Sequence, residues 1–137
     1  MLGYEASALD GANKEAVELV RRVATASGLT NISISGVIGP RGDGYVAAGH
    51  LAEEAADYHQ VQCRSFAPAG VDVVHALTIS EPADATGNVR AARSERLKDG
   101  ISFPFKPDGP FPDGNPPRRP ISPAPTPAAP ASDRANR

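Results

Sequence analysis

A charged turn directly follows an apolar run in "NISISGVIGPRGDGY", residues 31–45. Arg41 could bind a carboxylate through two parallel hydrogen bonds, because the fork of its guanidinium matches two oxygens. Asp43, two residues later, could bind an ammonium group. Together the two side chains would hold both charged groups of a small amino acid. The alternative is a plain chain reversal, since an Asp-Gly pair such as Asp43 and Gly44 is common turn chemistry.

A second group of polar residues ends the apolar run "VDVVHALTISEP", residues 71–82. Thr78 and Glu81 follow the apolar run directly, at the point where a ligand-binding loop would begin. Glu81 has a second interpretation, because an acidic residue in the first turn of a helix interacts favourably with the helix dipole. His75 lies inside the run, and its position predicts a neutral, hydrogen-bonded core histidine; an acid or base in catalysis is the alternative.

Metal-ligating and phosphate-binding patterns do not appear in the sequence. Cys63 is the one cysteine, and its place within "QVQCRSF" predicts a small packed residue of a helix. His50 and His59 form no cluster with another cysteine or histidine, so the sequence predicts no metal site. The segment "GPRGDG" has neither the Lys-Ser/Thr ending of a P-loop nor the spacing of a dinucleotide fingerprint.

The elements that must position these residues alternate between helix and strand. Hydrophobic periodicity predicts helices over Asp10–Ala26, with Asp10 as N-cap, over Leu51–Ala67, and from a Ser80 N-cap onward. Pro82 falls in the first turn of the third helix, and Gly87 should weaken its middle by about 1 kcal/mol. Short apolar runs predict strands over 32–38, 71–78 and 101–105.

Strands separated by single helices should be parallel and joined by right-handed crossovers. In such sheets the ligand site lies beyond the carboxyl ends of the strands. The segments that follow the three strands should therefore meet on one edge, which favours a ligand-binding role for the turn that contains Arg41 and Asp43.

Composition narrows the class of protein. The 137 residues carry a net charge of −2 and no basic cluster outside the carboxyl-terminal segment, which argues against a nucleic-acid partner. No stretch approaches the roughly 20 apolar residues of a membrane span, and no amino-terminal signal is evident, so a cytoplasmic protein is expected. Most of the 14 prolines follow residue 103. We therefore predict a folded segment over 1–113 and a disordered, Pro/Ala-rich tail over 114–137.

The order and spacing of three segments resemble the homocysteine S-methyltransferase family over residues 2–114. These segments are "ISGVIGPRGDGY", "EEAADYHQVQCRSFAPAGVDVVHALTIS" and "ISFPF". The resemblance implies methyl transfer from a sulfonium or similar donor to L-homocysteine, as in methionine biosynthesis. It also implies a (β/α)8 TIM barrel, of which this chain would hold strands three to five. The expected fold is therefore α/β, a partial barrel of about three parallel strands with intervening helices and the tail.

The resemblance also implies a zinc ion held by three cysteines, because zinc deprotonates a coordinated thiol. Those cysteines belong to parts of the family pattern that this chain does not match, so we expect no cofactor here and no activity of the chain alone. In the family, a glutamate that can bind the substrate amino group stands where this chain has Leu77, and Thr78 follows as in some members. The resemblance therefore implies Thr78 and Glu81 as substrate-binding candidates, with Glu81 as the substitute for that glutamate. The hypothesis for the tail is translation out of the ancestral frame.

Two further expectations follow from a partial barrel. A three-stranded piece leaves free strand edges, and these favour self-association. The alternative to a methyltransferase segment is a non-catalytic small α/β binding module with an open, flavodoxin-like sheet.

Overall fold

The computed structural model describes residues 5–104 and Gly114. Three helices alternate with three strands along this part of the chain, which confirms the predicted order. The elements are α1 (Ala6–Ala26), β1 (Ser35–Ile38), α2 (Ala52–Ala69), β2 (Val73–Ala76), α3 (Pro82–Ser94) and β3 (Asp99–Ile101). The predicted tail over 114–137 and the end of the strand predicted over 101–105 lie outside the described residues, apart from Gly114.

The three strands form one parallel sheet in the order β1-β2-β3. This arrangement confirms the α/β class and the three parallel strands. The strands are shorter than predicted, and β1 shows why. The carboxylate of Asp72 accepts a hydrogen bond from the Ile34 amide at 2.7 Å, so a side chain takes the place of a ladder partner there. β3 begins at Asp99, two residues before the predicted start.

Two predicted N-caps are wrong. α1 begins at Ala6 with Glu5 as its N-cap, because the helix-forming residues before Asp10 extend it by a turn. Glu81, and not Ser80, is the N-cap of α3. Pro82 occupies the first helical position, as predicted, where its missing N–H costs no helical bond. Gly70 ends α2 in the left-handed conformation.

Within residues 5–104, the three helices cover one face of the sheet and leave the other uncovered. Ile38, Val74 and Ala76 are almost fully buried on that face, and the Phe66 ring of α2 lies against Gly36. A side chain at Gly36 would collide with that ring, since an added Cβ would lie 2.8 Å from it. The core therefore sits between the sheet and helices α2 and α3. Its main cluster comprises Val17, Ile34, Ile38, Cys63, Phe66, Val71, Val74, Ala91 and Ala92.

The other face of the sheet, here called the open face, consists of Ser35, Val37, His75 and Leu77. Val37 is 53% exposed and Leu77 is 42% exposed. His75 lies on this face because side chains alternate along a strand and its neighbours Val74 and Ala76 point into the core. The prediction of a core histidine is therefore wrong.

The predicted apolar faces of the helices are confirmed only in part. On α1, Val17 is buried, whereas Val20 and Val23 are 49% and 61% exposed, because α1 packs mainly against α2. On α2, Ala55 and Phe66 are buried as expected, whereas Tyr58 and Val61 of the same predicted face are 41% and 45% exposed. No helix in the described part of the chain has the length and apolar character needed to cross a membrane.

Candidate functional site

Three loops follow the carboxyl ends of the strands and contact one another at one edge of the sheet. We call residues 39–51, 77–81 and 102–104 the rim. The Ile79 amide donates to the Ser102 carbonyl at 2.9 Å, which joins the second and third loops. Gly44 of the first loop lies against Thr78, so closely that an added Cβ would be 3.1 Å from Thr78 Oγ1. The structure thus brings the first two predicted segments together, with residues 102–104 beside them; the third predicted segment, 106–114, lies outside the described residues apart from Gly114.

Hydrogen bonds to the Glu81 side chain connect the first loop of the rim to the start of α3. Its carboxylate accepts hydrogen bonds from the backbone amides of Gly49 and His50, at 3.0 and 3.3 Å. His50 Nδ1 lies 3.2 Å from the same carboxylate. Glu81 is 6% exposed and makes no side-chain bond to its own helix. These contacts occupy the Glu81 carboxylate, so a substrate could reach that carboxylate only by displacing the loop 39–51. Its role in substrate binding stays a prediction.

Thr78 holds a strained backbone conformation at the end of the central strand. Its φ is +55°, in the left-handed region that β-branched residues rarely adopt. Its hydroxyl donates to the Leu77 carbonyl at 2.7 Å. Such strain persists only where the surrounding structure imposes it, and it is common at binding sites. The position therefore fits the predicted contact with a ligand.

We expect Thr78→Gly to raise the free energy of unfolding by up to about 1 kcal/mol. Relief of the left-handed strain exceeds the extra flexibility that glycine gives the unfolded chain. Thr78→Ala is the matched control, because it keeps a Cβ and hence the strain. Urea unfolding followed by circular dichroism measures both variants. A glycine variant no more stable than the alanine variant would contradict the assignment of strain.

Arg41 and Asp43 lie on the exposed part of the first loop. Asp43 Oδ1 accepts a hydrogen bond from the Tyr45 amide at 2.7 Å, which is the contact of a turn. Arg41 Nη1 lies 3.0 Å from Glu54 Oε2 of α2. A ligand carboxylate would have to displace Glu54 in order to bind Arg41. For both side chains, substrate binding stays a prediction.

The structure contains two pairs of hydrogen-bonded polar side chains that were not predicted from the sequence. Ser35 Oγ lies 2.7 Å from His75 Nδ1 on the open face. His59 Nε2 lies 2.8 Å from Asp84 Oδ1 between α2 and α3, and each of these side chains is about 1% exposed. The helical spacing of His59 with Ala55 and Cys63 could have revealed its burial. No local signal pairs a histidine with a partner 25 or 40 residues away.

Comparison with known proteins gives the class of this chain. The sequence model of the family described as homocysteine S-methyltransferase matches residues 2–123, a span that includes all six elements. The chain therefore belongs to the homocysteine S-methyltransferase family. The match extends past Gly114 into the segment predicted as a tail. Neither a search of curated proteins nor a search of solved structures found a significant match.

The zinc ion that the family implies does not fit the residues of this structure. Cys63, the one cysteine of the chain, is fully buried within α2. Burial raises its pKa to about 11, and the charge of Glu95 adds to the rise. A zinc ligand is a thiolate, whereas this thiol is held protonated. The described residues also contain no group of three or more His, Cys, Asp and Glu side chains placed to hold a metal.

The Cys63 thiol should react slowly with a thiol-specific reagent at pH 8 in the folded chain and rapidly after unfolding. The pKa of about 11 in the folded chain lies above the ordinary value of 9.0. Burial of the protonated Cys63 thiol therefore contributes fully to the free energy of unfolding below pH 9. This contribution is lost as the pH rises towards 11. Labelling rates with and without urea, and unfolding curves across this range, test both points. Equal labelling rates would contradict the burial of Cys63.

Proposed function

We propose that this chain binds L-homocysteine at its rim as a β/α segment of a homocysteine S-methyltransferase. The family match over residues 2–123 carries the proposal. The geometry supports it, because ligands of parallel α/β sheets bind beyond the carboxyl ends of the strands, where the rim lies. A partial TIM barrel, a cytoplasmic location, a place in methionine biosynthesis and self-association through free strand edges belong to the same proposal.

Asp43 and Thr78 are the rim residues best placed for a small amino acid. Asp43 uses Oδ1 for the Tyr45 amide, and within the described residues Oδ2 makes no hydrogen bond, so this oxygen can accept from an ammonium group. Gly44 lies against Thr78, so the loop that carries Asp43 is held beside the end of the central strand. Glu81 contributes indirectly, because its bonds to Gly49 and His50 hold the loop that carries Asp43.

Methyl transfer is the part of the family reaction that this chain does not complete alone. The attacking species must be a thiolate, and a free thiol has a pKa of about 8.5, so most of it is protonated at neutral pH. The one cysteine is buried, and the described residues offer no metal-binding group that could activate the thiol. We therefore propose binding of homocysteine without turnover, with the activating ligands supplied by other residues.

Calorimetric titration of the 137-residue chain tests this proposal, together with a methyl-transfer assay that uses a sulfonium donor. We expect weak, saturable binding of L-homocysteine, no stoichiometric tight zinc and no turnover. Asp43→Asn should weaken binding several-fold, because it removes the charge and keeps the shape. Glu53→Gln, on the neighbouring helix, is the control and should leave binding unchanged, because Glu53 is paired with Arg90 of α3. Tight 1:1 zinc or turnover by this chain alone would contradict the proposal.

The second candidate function is a non-catalytic small α/β binding module. The contiguous core cluster favours it, because residues from α1, α2, α3 and both long strands share that cluster. This candidate predicts a monodisperse monomer with a sharp cooperative melt and no preference for homocysteine over other small amino acids. Sedimentation velocity and the same titration with alanine separate the two candidates.

A further inference from the structure

Helix α1 carries apolar residues on an exposed side, and these residues recur in heptads. The helix is 21 residues long, which is the length of three heptads. The apolar residues follow one another at alternating steps of four and three residues, the spacing of the a and d positions of a coiled coil. We call this set the heptad face of α1; it consists of Leu9, Ala12, Ala16, Leu19, Val23 and Ala26.

The heptad face is exposed although it is apolar. Its two central large members, Leu19 and Val23, are 54% and 61% exposed. The three alanines are exposed as well, and only Leu9 is half-buried. Val17, the residue of α1 that joins the core, occupies another side of the helix. The core of the described chain therefore does not cover the heptad face.

Two opposite charges without partners lie along one side of the heptad face. Glu15 and Arg22 both occupy the g position, next to the apolar residues. Neither makes an ion pair or a side-chain hydrogen bond within residues 5–104. In an antiparallel pair of helices g faces g, so Glu15 of each copy would lie beside Arg22 of the other. In a parallel pair g faces e, where the residues are Val20 and Ser27, and the charges would find no partner.

Antiparallel pairing also fills the apolar contact evenly. Each a position then faces a d position of the second helix, and the layers are Ala16 with Leu19, Ala12 with Val23, and Leu9 with Ala26. Every layer joins an alanine to a larger residue, and well-packed helix contacts alternate large and small residues in this way. Parallel pairing would put each residue against its own copy, leucine on leucine and alanine on alanine, so that crowded and poorly filled layers would follow one another.

From these observations we infer that two copies of this chain associate through the heptad face, with their α1 helices antiparallel. The partner is a second copy because the surface is complementary to itself in both size and charge. A surface that binds its own copy is the basis of a two-fold symmetric dimer. This dimer does not depend on homocysteine binding, and its surface is separate from the strand edges of the sheet.

Sedimentation velocity of the 137-residue chain over a wide range of concentration tests the inference. We expect a dimer that dissociates on dilution. Glu15→Arg should weaken the dimer by roughly tenfold or more, because it sets two cations beside each other at both ends of the contact. Arg22→Glu should have the same effect with two anions. Lys14→Glu is the matched control, because position f points away from the heptad face, and it should leave the dimer unchanged.

A mixture of the two g-position variants gives the sharpest result. The Glu15→Arg chain is positive at both g positions and the Arg22→Glu chain is negative at both, so a mixed dimer contains two opposite-charge pairs. We expect each variant to be monomeric alone at concentrations where the mixture forms a 1:1 dimer.

Circular dichroism first shows that each variant keeps its helix content, as expected for good helix formers exchanged at exposed positions. If one does not, Leu19→Gln replaces it and should also weaken the dimer by roughly tenfold or more, because it removes the largest central apolar contact.

A chain that is monomeric at every concentration would overturn the inference. A dimer that persists unchanged in both charge variants would overturn it as well, and would locate the contact at the strand edges or on another surface. A mixture that stays monomeric would contradict the antiparallel pairing of Glu15 with Arg22.

Discussion

Gly87→Ala is expected to push α3 away from α2 and to lower the free energy of unfolding by about 1 to 3 kcal/mol. An alanine Cβ at this position would lie 2.5 Å from Ala55 Cβ, 2.6 Å from the Ala56 nitrogen and 2.7 Å from the Ala52 carbonyl oxygen. Two of these are backbone atoms that cannot rotate away. Helix propensity alone would favour alanine by about 1 kcal/mol, so the sign of the change separates packing from propensity.

Gly11→Ala is the matched control for this prediction. Gly11 also lies inside a helix, α1, and nothing lies within 4 Å of an added Cβ there. Propensity should act alone at this site and raise the free energy of unfolding by up to about 1 kcal/mol. Urea unfolding of the Gly87→Ala and Gly11→Ala variants measures the change in the free energy of unfolding at each site. A stabilised Gly87→Ala variant would contradict the close packing of α2 and α3.

Asp84→Ala should lower the free energy of unfolding by about 1 to 3 kcal/mol, because it leaves a buried polar group without a partner. It removes the only hydrogen-bond partner that His59 has within the described residues, and His59 is 1% exposed. An uncompensated polar group would then be buried between two helices. Because small domains are stable by only about 5 to 15 kcal/mol, this loss should lower the melting temperature clearly while most of the variant stays folded near room temperature.

Two further variants serve as references for the loss of stability expected of Asp84→Ala. Asp84→Asn keeps an oxygen that can accept from His59, so its loss should be smaller than that of Asp84→Ala. Glu54→Gln breaks the exposed pair with Arg41, and exposed pairs contribute only about 0 to 1 kcal/mol. Thermal melts rank the three variants. An Asp84→Ala melt as high as that of Glu54→Gln would contradict a structural role for the buried pair.

The order of elements and the direction of the strands were predictable from sequence because both depend on local patterns. Isoleucine and valine runs that end at Gly39 or Thr78 indicate the strands. The segments between these runs show helical periodicity, which indicates the helices. Pro82 marks the start of α3 within one residue. A single helix between successive strands then leaves parallel pairing as the one short connection.

The contacts that define the site were not predictable, because they join residues distant in sequence. The alternation of side chains puts His75 on the face opposite Val74, but its exposure depends on the described helices all packing on that other face. Propensity identifies Gly87 as a weak point, whereas the structure uses it for the close approach of α2. Dipole arguments place Glu81 at the start of α3, yet its carboxylate binds the amides of the first rim loop.

The most direct test of the central claim is a map of backbone amide shifts on adding L-homocysteine to the 137-residue chain. The account predicts that the shifts concentrate in the rim, at Gly44 and Thr78, and leave the exposed side of α1 unchanged. That side carries two surface grooves, lined in part by Glu18 and Arg22, which provide an alternative location. Shifts confined to those grooves, or no shifts at saturating homocysteine, would contradict the claim that the rim of this family member binds the amino acid.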